Sequence, residues 1–215
     1  MAMFWSVCVV TLAYLLGSLS FAVIVSKAMG LDDPRSYGSG NPGATNVLRS
    51  GSKKAAIATL LLDALKGTVA VLFARAMADR LGFADGTVAA AGLGAFIGHL
   101  YPVFFRFQGG KGVATAAGVL LALSPLLGLA CLAIWLLVAI LTRYSSLAAI
   151  VTAVAAPICF DVADGPGLRT GAVAAMSVLL VWRHRANISK LLAGTESKLF
   201  SKAKPDPGTG TGPGQ

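Results

Sequence analysis

Three short polar stretches hold nearly all the side chains with which this chain could do chemistry. The first is Gly38-Ser39-Gly40-Asn41-Pro42-Gly43-Ala44-Thr45-Asn46, followed by Arg49. Glycines let a backbone turn with positive φ and aim several N–H groups at one point, Asn-Pro marks a tight turn, and Ser39, Asn41, Thr45 and Asn46 add neutral hydrogen-bonding groups. Such a loop is suited to an anion, and Arg49 adds a permanent positive charge. Gly38, Gly40 and Gly43 also satisfy the GxGxxG dinucleotide pattern, but that pattern needs a strand before it and a soluble βαβ unit around it. Membrane-length apolar runs flank it here, which argues against a nucleotide fold; the plainer alternative is an ordinary polar loop between helices.

The second stretch is Gly109-Gly110-Lys111-Gly112, running into Val113-Ala114-Thr115. At the start of a helix it would offer free N–H groups, the positive end of the helix dipole and a lysine, a second anion cradle. It is not a Walker A loop, because Phe105 stands where the first glycine belongs and Gly112 where Ser or Thr would hold magnesium. In the third stretch His184 and Asn187 are three apart and share a face if one helix carries both. Alone, Arg183-His184-Arg185 reads more readily as a lipid-headgroup anchor. Asp63 and Lys66, also three apart but inside an apolar run, read as a structural ion pair supporting the site, and His99 as a structural residue near a span end.

The elements that must position these residues are membrane helices. Of the 215 residues 56% are hydrophobic and 13% charged, with a mean hydropathy of +0.75, more apolar surface than one soluble core can bury. The net charge of +9 does not read as a nucleic-acid surface, since no aromatic residues are interleaved with the basic ones. Cys8, Cys131 and Cys159 lie in apolar runs without metal-type spacing and read as small hydrophobes. No metal or nucleotide site is evident, and no cofactor is expected.

Apolar runs place spans at Phe4–Ser26, Ala55–Ala78, Phe83–Phe105, Leu147–Phe160 and Leu168–Trp182, the first being a retained span rather than a signal peptide. Val113–Thr142 is too long for one upright crossing and short for two, with Ser124-Pro125 inside it. Charge decides. Seven spans put Arg75, Arg80 and Arg169 on one side and every other Lys and Arg, apart from Lys66 within the membrane, on the other; six spans divide them almost evenly. The positive-inside rule therefore predicts an all-α protein with seven transmembrane helices, the N-terminus outside and the C-terminus cytoplasmic. All three polar stretches then emerge on the cytoplasmic side of the membrane, where they can form one site. Residues 1–200 form one domain, and 201–215, rich in Pro, Gly and Thr, read as a disordered cytoplasmic tail.

Taken in order, the three stretches resemble the motifs of the bacterial acyl-phosphate:glycerol-3-phosphate acyltransferase family over nearly the whole chain. Gly38 to Asn46 with Arg49 is similar to its first motif, Gly109 to Thr115 to its second, and His184-Arg185-Ala186-Asn187 with Gly194 and Glu196 to its third. The resemblance implies transfer of a fatty acyl group from acyl phosphate to the 1-hydroxyl of sn-glycerol 3-phosphate, giving lysophosphatidic acid and phosphate. Acyl phosphate, sn-glycerol 3-phosphate and membrane lipids are then the partners, with an acyl-phosphate-producing enzyme upstream and no nucleic acid. It assigns Ser39, Lys111, His184 and Asn187 to catalysis, and Gly38, Gly40, Asn41, Gly43, Thr45, Asn46, Arg49, Gly109, Gly110 and Gly112 to substrate binding, with Asp63, Lys66 and Glu196 in support.

Departures are small: Gln108 stands where lysine is common and Ala149 where many members have serine. The His-x4-Asp motif of other glycerol-phosphate acyltransferases is absent, since neither His99 nor His184 has Asp five residues on, which argues against an acyl-thioester enzyme of that family. The rival from another class is a multi-span transporter for a phosphate-bearing solute. It should show inverted repeats and polar groups at midplane, whereas these motifs gather on one side. A non-catalytic lipid-binding scaffold would explain the basic face but not three specific loops.

Overall fold

The computed structural model describes Met1–Leu199 apart from Ala84, so the tail expected at 201–215 lies outside the described residues. Ten α-helices follow one another, with no strand among the described residues: α1 Ala2–Gly17, α2 Phe21–Ala28, α3 Ala44–Val47, α4 Lys53–Leu81, α5 Asp85–Leu100, α6 Val113–Leu123, α7 Pro125–Thr142, α8 Ser145–Asp164, α9 Leu168–Arg183 and α10 Arg185–Leu192. Their apolar inner faces pack into a main core around Phe96, Leu100, Val71, Val119 and Phe160, all fully buried, with a smaller cluster of Ala22, Val25, Val47, Ala55 and Ala56 beside it. Large apolar side chains also cover the outside of α7, where Leu126, Ile140 and Leu141 are exposed, as a hydrocarbon surround requires.

Among the described residues four stretches, within α4, from Asp85 at the start of α5 to Phe105, and along α7 and α8, are long and apolar enough to cross a membrane. The run expected as one straight span, Phe4–Ser26, is instead two helices bent by 42° between Gly17 and Phe21, and the pair together is long enough for a fifth. The ambiguous run Val113–Thr142 divides at Ser124, because Pro125 cannot donate to a preceding turn but suits the first position of a new helix. The resulting α6, at 11 residues, is shorter than a crossing requires by itself.

The bend in the first run frees the Leu19 carbonyl, and Lys66 of α4 answers it, its Nζ donating at 2.7 Å. Lys66 is in turn 2.8 Å from Asp63 Oδ1, forming the ion pair expected from sequence, with side chains 1% and 3% exposed respectively. The helices approach closely at glycines. A Cβ on Gly17 would overlap the Ala95 carbonyl where α1 meets α5, and one on Gly118 would overlap the Ala64 carbonyl where α6 meets α4. Thr68 Oγ1 donates to the Gly118 carbonyl at 3.0 Å across the same crossing. Gly118→Val should therefore push α6 off α4 and cost about 1–3 kcal/mol. Thermal unfolding in detergent, with Gly171→Val on α9, where a side chain meets no neighbour, as control, checks this; equal losses would show the crossing to be less tight than described.

Candidate active site

The first loop is organised by Asn46. Gly38 and Gly40 take φ values of 61° and 64°, which let the chain turn back over α3. Asn46 Oδ1 accepts the Ser39 N–H at 2.9 Å, and its Nδ2 donates to the carbonyls of Pro34 at 2.6 Å and Tyr37 at 3.1 Å. Asn46 was expected to bind substrate; at 2% exposure, with both amide ends engaged, it holds the loop in shape instead. Gly38, Ser39, Gly40 and Thr45 remain exposed around it, with Asn41 and Gly43 half-buried. Just before the loop Arg35 makes a two-pronged ion pair to Asp33, 2.6 Å at its shortest, which holds the Asp33 carboxyl below the usual carboxylate range.

The second loop departs further from its expected form. Arg106 and Phe107 both adopt left-handed backbone, at φ 53° and 59°, and the chain then dives into the protein so that Gly109 and Gly110 are buried. The Gly110 N–H is spent on the His99 carbonyl at 3.1 Å, so it is not free for an anion as expected. A side chain at Gly109 would overlap the His99 and Leu100 carbonyls, and one at Gly110 would overlap the His99 ring and approach the Pro42 carbonyl of the first loop. These glycines are needed for close backbone approach, and they bring the two loops back to back. Gly112, at φ 85°, turns the chain into α6, whose first N–H groups carry no side-chain cap. The groups left for an anion are thus those N–H groups and the Lys111 side chain.

Lys111 joins the second loop to the third stretch. Its Nζ donates to Asn187 Oδ1 at 2.5 Å; Asn187 Nδ2 donates to Glu196 Oε1 at 2.7 Å, and Ser146 Oγ donates to the same oxygen at 2.7 Å. Arg49 reaches the same quarter, its Nη2 donating to Ser197 Oγ at 3.1 Å. Burial pushes the Lys111 ammonium down to about 8; Glu196 opposes that, and Arg183, Lys190 and Arg49 add to it. Lys111 is therefore mostly a cation at pH 7 but a reluctant one.

His184 and Asn187 do not share one helix: α9 stops at Arg183, His184 forms the joint, and Asn187 lies in the first turn of α10. His184 is 2% exposed, and its Nδ1 lies 2.8 Å from the Leu180 carbonyl, which only an N–H can satisfy. Nε2 is then the lone-pair nitrogen. Burial pushes this imidazole down to about 4, with Lys111 and Arg183 adding to the effect. It is neutral at pH 7, an acceptor of hydrogen bonds more than of protons. Ser39 Oγ makes no hydrogen bond to any side chain or carbonyl among the described residues, and no cluster among them could hold a metal ion.

One residue of the site was overlooked by the sequence reading. Arg183 clamps the second loop, its Nη2 donating to the Gly109 carbonyl at 2.7 Å and its Nε to the Gly110 carbonyl at 3.1 Å, with Tyr101 beneath the guanidinium. In sequence it counts only as a charge after a span. Arg183→Met should loosen the loop that carries Lys111 and lower kcat/KM by about 10²-fold, read by steady-state kinetics; an unchanged value would make the clamp incidental.

The site can be compared with known proteins on this geometry. Residues 7–194 match the family described as glycerol-3-phosphate acyltransferase. The chain is 63% identical over 198 residues to the glycerol-3-phosphate acyltransferase of Paraburkholderia xenovorans (strain LB400), covering 92% of each. It is 65% identical over 193 residues to that of Ralstonia nicotianae, covering 90% of this chain and 93% of the relative. The fold is similar to the crystal structure of PlsY, an integral membrane glycerol 3-phosphate acyltransferase, in its glycerol 3-phosphate form, with a TM-score of 0.83 and 40% identity over 90% of this chain and 94% of that one. The lysophosphatidic acid form of the same protein gives a TM-score of 0.82. With nearly the whole length of the chain matched in sequence and in fold, this protein belongs to the glycerol-3-phosphate acyltransferase family and is an acyltransferase.

Proposed function

We propose that this enzyme transfers a fatty acyl group from acyl phosphate to the 1-hydroxyl of sn-glycerol 3-phosphate, releasing phosphate and lysophosphatidic acid. The observation that carries this reading is the convergence of three separate stretches on Lys111, which is bonded to Asn187 and surrounded by Arg49, Arg183 and Lys190 with Glu196 as the nearby carboxylate. Two phosphate-bearing substrates need such a concentration of cations, and an acyltransferase of the membrane needs it where a helix bundle meets water. A seven-crossing topology with the N-terminus outside and all three stretches facing the cytoplasm fits the charge distribution. In a bacterium that places the enzyme in the inner membrane, beside an acyl-phosphate-producing enzyme. The transporter alternative gives way to the family match, since its members are enzymes.

The reaction needs no covalent intermediate. The glycerol 1-oxygen bonds to the acyl carbon, the bond from that carbon to the phosphate oxygen breaks, and the proton leaves with the phosphate. A departing phosphate, which keeps the electron pair of the broken bond on its oxygen, is a stronger base than an imidazole held at about 4. His184 Nε2 therefore orients the hydroxyl by accepting its hydrogen bond, while the phosphate takes the proton. Lys111 and Arg49 hold the glycerol phosphate, Arg49 as a fork and Lys111 as a point charge. The α6 N–H groups face the same phosphate as Lys111, and the Ser39 hydroxyl faces the acyl phosphate and the charge that develops on it.

Three donors distinguish the readings. Purified enzyme with glycerol 3-phosphate should consume palmitoyl phosphate and neither palmitoyl-CoA nor acyl carrier protein thioester, with phosphate release matching lysophosphatidic acid; activity with a thioester alone would overturn the donor. Single-turnover mass spectrometry should find no acyl group on Ser39, and a trapped acyl-Ser39 would replace direct attack by a two-step route. Because the Lys111 cation is lost as pH rises through about 8, KM for glycerol 3-phosphate should climb between pH 8 and pH 9. Lys111→Gln should show a raised, pH-independent KM; a wild-type KM flat across that range would remove Lys111 from the phosphate.

A further inference from the structure

The second loop is held on one side by Arg183 and on the other by His99, from inside the bundle. His99 lies in the last turn of α5, and its carbonyl accepts the Gly110 N–H at 3.1 Å. That carbonyl, with the one from Leu100, occupies the space where a Gly109 side chain would stand. The His99 ring occupies the equivalent space at Gly110, Nε2 nearest, and the Pro42 carbonyl of the first loop approaches the same point. One imidazole edge is therefore the surface against which both loops meet.

The other edge of the ring is fixed. Nδ1 lies 3.2 Å from Thr115 Oγ1, in the first turn of α6, and 3.5 Å from Asp63 Oδ1, which pairs with Lys66 at 2.8 Å. The His99 ring lies beneath Gly110, with the second loop between it and the site, so it does not reach a substrate there. Its position makes it a link. The ion pair of α4 and the first turn of α6 set the ring's angle, and the ring and carbonyl set the height of Gly109 and Gly110, one residue before Lys111.

We propose that His99 is a positioning residue for substrate phosphate: held by Asp63 and Thr115, it supports the Gly109–Lys111 backbone so that the Lys111 ammonium and the α6 N–H groups face the same anion. A ring lost or turned lets Gly110 settle toward the vacated space and draws Lys111 out of register with α6. This rests on the proposed function for the identity of the anion, glycerol 3-phosphate, and not on the acyl donor.

The test uses the full-length enzyme in detergent and three variants. His99→Phe keeps a ring and loses both nitrogens, His99→Asn restores a polar atom near the Nδ1 position, and Thr115→Val removes one hydroxyl from a side chain of the same shape. Calorimetric affinity for glycerol 3-phosphate is measured beside KM, kcat and the unfolding temperature. Affinity should fall and KM rise by about tenfold in His99→Phe and by less in Thr115→Val, with kcat changing less than KM and His99→Asn lying between Phe and wild type. Unchanged affinity and KM in both His99→Phe and Thr115→Val, whatever the unfolding temperature does, would overturn the role. If His99→Phe does not fold, Thr115→Val decides. A wild type that binds glycerol 3-phosphate but uses no acyl phosphate would sink the donor assignment and leave this test standing; a wild type that does not bind it would sink both.

Discussion

A single ammonium group, that of Lys66, makes the architecture possible. Bending the first apolar run strips the Leu19 carbonyl of its helical partner inside an apolar bundle, where an unanswered peptide group costs several kcal/mol. Lys66 supplies the donor, and Asp63 makes its charge tolerable there by pairing with it. The bend then lets α2 lean on the start of α4, where Ala22 and Val25 pack with Val47, Ala55 and Ala56 beneath the first loop.

From the same ion pair the order of the site extends outward. Asp63 meets His99, His99 meets the second loop, and Arg183 closes on that loop from α9. Lys111 is then tied through Asn187 to Glu196, which also accepts from Ser146 of α8. Four segments far apart in sequence are fixed relative to one another by hydrogen bonds that point inward, so the polar face of the site is backed by a polar interior. Preorganisation of this kind is what electrostatic catalysis needs, because charge that forms during reaction then meets dipoles already in place.

Much of this was legible in the sequence. Hydropathy gave an all-helical bundle, Ser124-Pro125 marked a helix boundary, and the three-residue spacing of Asp63 and Lys66 matched their pairing. The bend at Gly17–Phe21 was hidden because Ser18 and Ser20 interrupt a run that remains apolar on average, and the lysine that compensates them is supplied by another helix. The glycines of the second loop were legible as backbone without side chains but not as buried backbone: free N–H groups and close contact call for the same residue. Arg183 and His99 act through carbonyl oxygens, which leave no signature of residue type at the partner position, so both read as span-end residues. Asn46 misled for the complementary reason, since an amide that shapes a loop and one that binds a ligand look alike in a sequence.

Arg49, Arg183 and Lys190 gather around Lys111, with Glu196 the one carboxylate acting on it. With no anion present these cations repel one another, and the burial that brings Lys111 down to about 8 is a measure of how unwelcome its charge is. On the proposed function, the vacant enzyme is the electrostatically frustrated state and the occupied one the relaxed state. Each departure of a phosphate-bearing product returns the frustration, and each arrival of a new phosphate discharges it, so the protein's own like-charge repulsion becomes part of the affinity for whatever anion comes next.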